Sequence, residues 1–307
     1  MKDLRLLLQL ISIILLLSCD DSSSENVWLH VSGGTSQNLY AINFPDARHG
    51  SIVGTGTILR TNDGGLTWSA QNSGVLIDLY DVSFSDSNFG TAVGQLGTIL
   101  HTTDGGINWI GQASSFSGTL LGVSFTRANV GTAVGVSGKI LRTTDGGTNW
   151  FSQTGGTSNF LRDVYFVNDT TGTIVGENGL ILHTSNGGAA WTREPSGTGT
   201  TFVHVYFSDI NTGTAVGLDG IIVRTTDGGA SWAAQTSHTS NELTSVHFAD
   251  AQNGLAVGIG GTILVTNDAV TWTNDPEAPH VDFRSVHTSP QTVYVCGLGG
   301  SIFKRTF

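Results

Sequence analysis

Every tryptophan of this chain lies on one grid. Trp28, Trp68, Trp109, Trp150, Trp191, Trp232 and Trp272 follow one another at intervals of 40, 41, 41, 41, 41 and 40 residues. A fixed period near 40 marks a repeat architecture, in which one small unit stacks on copies of itself. The text between tryptophans repeats too: LYDVSFSDSNFGTAVGQLGTILHTTDGGINW (79–109) aligns with LLGVSFTRANVGTAVGVSGKILRTTDGGTNW (120–150). Each unit holds four short runs rich in Val, Ile, Phe and Thr, parted by Gly, Asp, Asn and Ser. Such runs read as strands. No window after residue 20 carries a helical period. The expectation is an all-β fold, a seven-bladed β-propeller of four-stranded blades.

The count of seven depends on the chain ends. Six units are complete. The seventh, from Phe283 onward, has three strands and stops before a tryptophan. VWLHVSGGTSQNLY (27–40) matches TWSAQNSGVLIDLY (67–80), so Trp28 begins a fourth strand without a blade of its own. That strand is expected to complete the last blade, because closure gives both chain ends a pairing partner and removes an open edge.

The phrase before each tryptophan is a turn. It carries Asp63, Asp104, Asp145, Asn186, Asp227 or Asp268, followed by a Gly pair in all but the last copy. The carboxylate can accept N–H groups of the turn, and the glycines admit positive φ. The tryptophan then buries a large apolar surface. The pattern resembles the Asp-box, or BNR repeat, whose role in the proteins carrying it is structural. A cation on these aspartates is the rival reading, but one carboxylate per turn supplies too few anionic oxygens for a strong Ca²⁺ site. No metal or cofactor is expected.

The amino terminus has a charged start, an apolar stretch from about residue 6 to 17, and then a cysteine. This is the layout of an export signal, too short for a membrane span. LLSC (16–19) resembles a bacterial lipobox, which implies cleavage before Cys19 and its lipidation. Asp20 and Asp21 look like a tag for the cell surface. The expected organisation is a signal peptide at 1–18, a flexible acidic tether at 19–26 and one propeller at 27–307. Localisation follows as lipid-anchored to the bacterial outer membrane and surface-exposed. Cleavage removes Lys2, Arg5 and Asp3, leaving 11 of 13 basic and 23 of 24 acidic side chains, a formal charge of −12 against −11 for the whole chain. That balance argues against nucleic acid and against an anionic membrane surface as partners. Contact with a membrane is then only through the Cys19 lipid. Cys296 aligns with Val93 and reads as a small buried residue.

Motifs for catalysis are missing: no His-Glu-x-x-His, Cys-x-x-Cys or Gly-x-Ser-x-Gly occurs. Arg60, His101, Arg142, His183 and Arg224 share one repeat position at the end of the third strand. They are expected to pair with a box Asp of their own or the next blade, or else to form a polar arc that touches a partner. Glu177 and Asp219 fall between second and third strands on the opposite rim, where varied loops suit binding. His204 aligns with Asp81 and Asp163, and His247 and His287 with Ser83 and Tyr165, so each histidine is assigned a place in its blade first.

The recurring L-x-x-V-x-F-x-[DN]-x-x-x-G-x-A-V-G-x-x-G-x-I-L-x-T-x-D-G-G-x-x-W resembles the photosystem II stability/assembly factor family, over about residues 27–307. The resemblance implies a seven-bladed propeller acting as a non-catalytic binding scaffold, here a monomer with a protein or glycan partner. In photosynthetic members an arginine-rich surface is tied to binding a reaction-centre precursor. Only Arg60, Arg142 and Arg224 of the arc correspond to such a patch. The alternative is an enzyme, since sialidases and other glycoside hydrolases also carry Asp-boxes. Such enzymes need paired carboxylates at a set separation, yet Glu177, Glu194, Glu242 and Glu277 are the only glutamates after the tether, and no unit has grown an active-site loop.

Overall fold

The computed structural model describes residues 27–306. Cys19 and the expected signal peptide (1–18) and tether (19–26) lie outside the described residues. The described chain forms seven four-stranded antiparallel sheets, with short 3-10 turns in place of longer helices. Blade 1 uses Leu39–Asn43, Gly50–Gly54, Thr57–Thr61 and Ser69–Gln71, in that order from the channel outward. Blades 2 to 6 repeat this plan. Blade 7 takes Phe283–Thr288, Thr292–Gly297 and Ile302–Thr306, and its outermost strand is Leu29–His30 from the amino-terminal end. The ring closes as the arithmetic of the repeat requires.

The apolar core lies between blades. Val53 and Ile58 of blade 1 pack with Leu79, Val82, Leu100 and Trp109 of blade 2, and similar clusters fill the other joints. In blades 1 to 6 the second strand, such as Gly90–Gly94, is buried along its whole length because neighbours cover both faces. Burying one such Val or Leu contributes about 1.5–3 kcal/mol. In blades 1 to 6 the phenylalanine ending the first strand meets the blade's tryptophan edge to face, as Phe125 does Trp150 at 6.0 Å.

Blade 7 has no box, and a different fastening replaces it. Arg305 stands where other blades carry the threonine that precedes the turn. Its Nη1 lies 2.6 Å from Asp275 Oδ2, its guanidinium lies 4.6 Å over the Trp28 ring, and Trp28 Nε1 donates to the same Asp275 oxygen at 3.0 Å. This buried clasp ties the amino-terminal strand, the last strand and the end of blade 6 together.

The channel and its loop-side mouth as candidate functional site

The turn carboxylates are satisfied within their own turns. Asp63 Oδ1 accepts the N–H groups of Leu66 and Thr67 at 3.1 and 3.0 Å, and Oδ2 accepts the Thr67 hydroxyl. Asn186 keeps the same acceptor toward Ala190 N–H, without the charge. In the sixth turn Ala269 takes the left-handed conformation, φ 59°, that glycine holds elsewhere. Asp227 is pulled down to about 2 by the hydroxyl and N–H of Ser231 and the hydroxyl of Thr225.

This saturation corrects the expectation for the basic arc. Its members do not pair with box carboxylates. Arg60 Nε donates to Gly105 O at 2.6 Å, Arg142 Nη2 to Asp169 O and Arg224 Nη2 to Ala251 O, all backbone carbonyls of the next blade. Arg142 also covers Phe166 at 4.5 Å and is only 8% exposed. His101 Nδ1 meets Thr91 Oγ1, and His183 Nδ1 is buried without a hydrogen-bond partner. The physical reason is simple: turn N–H and hydroxyl groups already occupy the carboxylates, so the cations turn to the carbonyls left open.

The innermost strands carry groups that the alignment had kept apart. An innermost strand is a sheet edge, and its outward N–H groups need acceptors. Most are met by a side chain of the preceding blade. Val123 N–H donates to Asp81 Oδ2 at 2.7 Å, Val205 to Asp163 Oδ2 at 2.8 Å and Val246 to His204 Nδ1 at 3.4 Å. Val286 and Ile42 complete that circle on Ser245 and Ser285. Two positions break the pattern, Ala41 and Gly122, which have no acceptor to offer. In the blades that follow, Asp81 and Asp163 bend their Oδ1 back to the N–H of Val82 and Val164. Each aspartate thus covers two orphan donors. A second circle, two residues on, uses Asn43, Ser83, Ser124 and His247 in the same way.

His204 and His247 have places in the blades, and each also reaches across to the next blade. Equivalent positions of successive first strands converge on one channel, a cavity of about 240 Å³. His204 Nε2 lies 3.7 Å from Asp163 Oδ2, and the rings of His247 and His287 are 4.4 Å apart. Burial pushes Asp163 up to about 7 against the pull of its two N–H donors, and burial plus the charge of Asp163 raises Asp81 well above the carboxylate range. Burial likewise pushes His204 down to about 4. His204 keeps 30% of its side chain open to the channel, so water there screens part of that shift. Among the described residues no group of three or more His, Cys, Asp or Glu is placed to hold a metal ion.

Where the first strands begin, the channel opens into a mouth of about 350 Å³ lined by Tyr40, Tyr80, Arg162, His204, Glu242 and Arg284 among others. The Nε atoms of Arg162 and Arg284 are buried and have no hydrogen-bond partner. Both arginines were passed over in the sequence, although they share one repeat position. Glu177 lies on this side: its Oε2 accepts Phe160 N–H at 3.1 Å and its Oε1 is 3.6 Å from Arg162 Nη2. Asp219 holds the left-handed place in its turn, φ 55°. The boxes occupy the other side.

A closed ring of seven blades, six of them fastened by Asp-box-like turns, and open at a polar mouth, defines a seven-bladed β-propeller. A sequence profile described as photosynthesis system II assembly factor YCF48 matches residues 20–115 and 111–198, and the chain belongs to that family. Two similar solved structures are described as YCF48 bound to D1 peptide (22% identity, 92% of this chain and 97% of that one, TM-score 0.78) and YCF48 from Cyanidioschyzon merolae (22%, 91% and 99%, TM-score 0.77). The structure of U3-55K superposes with a TM-score of 0.80 at 9% identity, over 92% of this chain and 100% of that one, which is likeness of fold alone. No curated protein matches the chain.

Proposed function

We propose that the chain is a non-catalytic scaffold of the bacterial cell envelope that holds a protein segment at the loop-side mouth. The observation that carries this reading is the pair Arg162 and Arg284, which line the open mouth while their buried Nε donors find no acceptor within the described chain. A buried donor left unmade costs about 1–3 kcal/mol, and a carbonyl or carboxylate of a partner would recover it. The similar YCF48 structure with a D1 peptide supports a protein as the partner class. Asp81 and Asp163 are engaged by backbone N–H groups, which supports a binding rather than an acid–base role. The test is photo-crosslinking in intact envelopes from position 121 at the mouth and position 66 on the box side. A protein adduct at 121 that disappears in Arg162→Ala/Arg284→Ala is the expected result. Adducts from 66 alone, or adducts at 121 indifferent to the arginines, overturn it; binding to a glycan array through the same arginines would replace protein with sugar as the partner.

Anchoring is part of the same proposal. LLSC (16–19) is the motive, and Trp28 sits on the box side, so the tether would leave the mouth facing away from the lipid. Cys19→Ser is expected to move the chain from the membrane to the soluble fraction and to remove a lipid adduct from its mass. Unchanged fractionation with no lipid on the wild-type chain excludes the anchor.

A further inference from the structure

We propose that acid loosens the ring at one seam, the joint between blades 6 and 7, because stitches there and at the joint before it end on imidazole nitrogens. His247 Nδ1 accepts Thr288 N–H at 3.2 Å and lies 2.7 Å from the Thr288 hydroxyl. His204 Nδ1 accepts Val246 N–H at 3.4 Å. A backbone N–H can only donate, so each Nδ1 is unprotonated and each neutral ring carries its proton on Nε2. Protonating Nδ1 sets donor against donor and removes the stitch.

The surroundings make this costly at one joint more than the other. His204 faces Asp163 and Asp81, with Glu242, Arg162 and Arg284 at the mouth beyond it. The carboxylate 3.7 Å away offsets part of its charge. His247 is flanked by Tyr206 at 4.2 Å and His287 at 4.4 Å, with His204 on the same wall, and no carboxylate touches it. Burial first, then His287 and His204, hold His247 well below the ordinary imidazole range, and burial holds His287 at about 4.

The signs differ around the ring. A histidine with its folded value below the unfolded 6.5 contributes stability that is full above pH 6.5 and lost as pH falls toward about 4. Asp163, raised to about 7, runs the other way: its contribution is full below the unfolded 3.8 and lost as pH rises through 7. Asp81 shares that direction. Falling pH therefore relieves the cost of the buried carboxylates in blades 2 and 4, while it weakens the imidazole stitches from blade 5 to 6 and from 6 to 7. The second of these adjoins blade 7, whose outermost strand comes from the other end of the chain and pairs through Leu29 and His30. Each histidine that gains a proton on opening raises the opening constant by up to about tenfold per pH unit.

The chain supplies its own acid-insensitive alternatives. Asn43 holds the position of His247 in blade 1 and accepts Phe84 N–H at 3.2 Å. Ser245 and Ser285 hold the position of His204 and accept in the same way. Hydrogen exchange of the full chain near pH 7.5 and near pH 5, corrected for intrinsic rate, provides the test. Protection over 283–288 is expected to fall about tenfold or more at the lower pH while that over 120–125 does not fall. His204→Ser/His247→Asn should keep protection at the higher pH and lose the response to acid. Equal loss in both segments, no loss at 283–288, or a double variant that responds like wild type overturns the proposal. Should the double variant not fold, the wild-type contrast between the two segments decides alone.

Discussion

One threonine holds each turn from below. Thr143 Oγ1 accepts Asp145 N–H at 3.3 Å and Gly147 N–H at 2.8 Å and donates to Asp145 Oδ1 at 2.9 Å, while the side chain is fully buried. Thr143→Val keeps the shape and removes all three bonds. It should lower unfolding free energy by about 1–3 kcal/mol, the cost of stranding buried donors, read by urea denaturation; Thr143→Ser should recover most of it. The conspicuous aspartate acts later, fixing the exposed side of the turn. Because Asp227 titrates near 2 instead of 3.8, its contribution is full above pH 3.8 and is lost only as pH falls toward 2.

At the scale of the strand, glycine and phenylalanine form one unit. Phe125 pairs with Gly131 across the first two strands of blade 3, and a Cβ on Gly131 would lie 2.4 Å from the ring. Gly131→Ala should therefore cost about 1–3 kcal/mol by overpacking. Blade 7 changes both partners together: Thr288 replaces the phenylalanine and Val293, its cross-strand neighbour, replaces the glycine. Phe125→Thr/Gly131→Val copies that solution into blade 3. Its destabilisation, measured by chemical denaturation, should be smaller than the sum of the two single variants by about 0.5–3 kcal/mol. Strict additivity would mean that the two positions do not share one packing problem.

For the whole molecule the decisive element is the clasp. Arg305 and Asp275 have side chains only 7% and 4% exposed, and stranding one partner of a buried ion pair costs about 3–5 kcal/mol. Against a domain stability of about 5–15 kcal/mol, Asp275→Ala should lower the melting temperature sharply. A chain beginning at Gln37 should melt lower still or aggregate, since it exposes Ile302–Thr306 as a bare edge and loses Trp28. Equal melting of that chain and the full one would show that the ring holds without its amino-terminal strand.

The amino-acid sequence by itself determined the number of blades, the strands within each, the fastening turn and the borrowed closing strand. Those features rest on local periodicity and on hydrogen bonds made within a few residues, which a repeat displays six or seven times over. Asp63 could be read correctly because its hydrogen-bond partners, Thr61, Leu66 and Thr67, lie close by in the chain. The channel could not be read so directly. Whether Asp163 and His204 are neighbours depends on which strand is innermost and on how tightly seven blades close, and both are settled by packing between units 41 residues apart. Arg162 and Arg284 were hidden for the same reason: 122 residues separate them, and only ring closure brings them to one mouth. The basic arc shows the reverse case, a pattern visible in the chain whose purpose was decided by carbonyls of the next blade. Tertiary structure alone chose those partners, because a side chain's acceptor is whatever unsatisfied group the neighbouring blade leaves within reach.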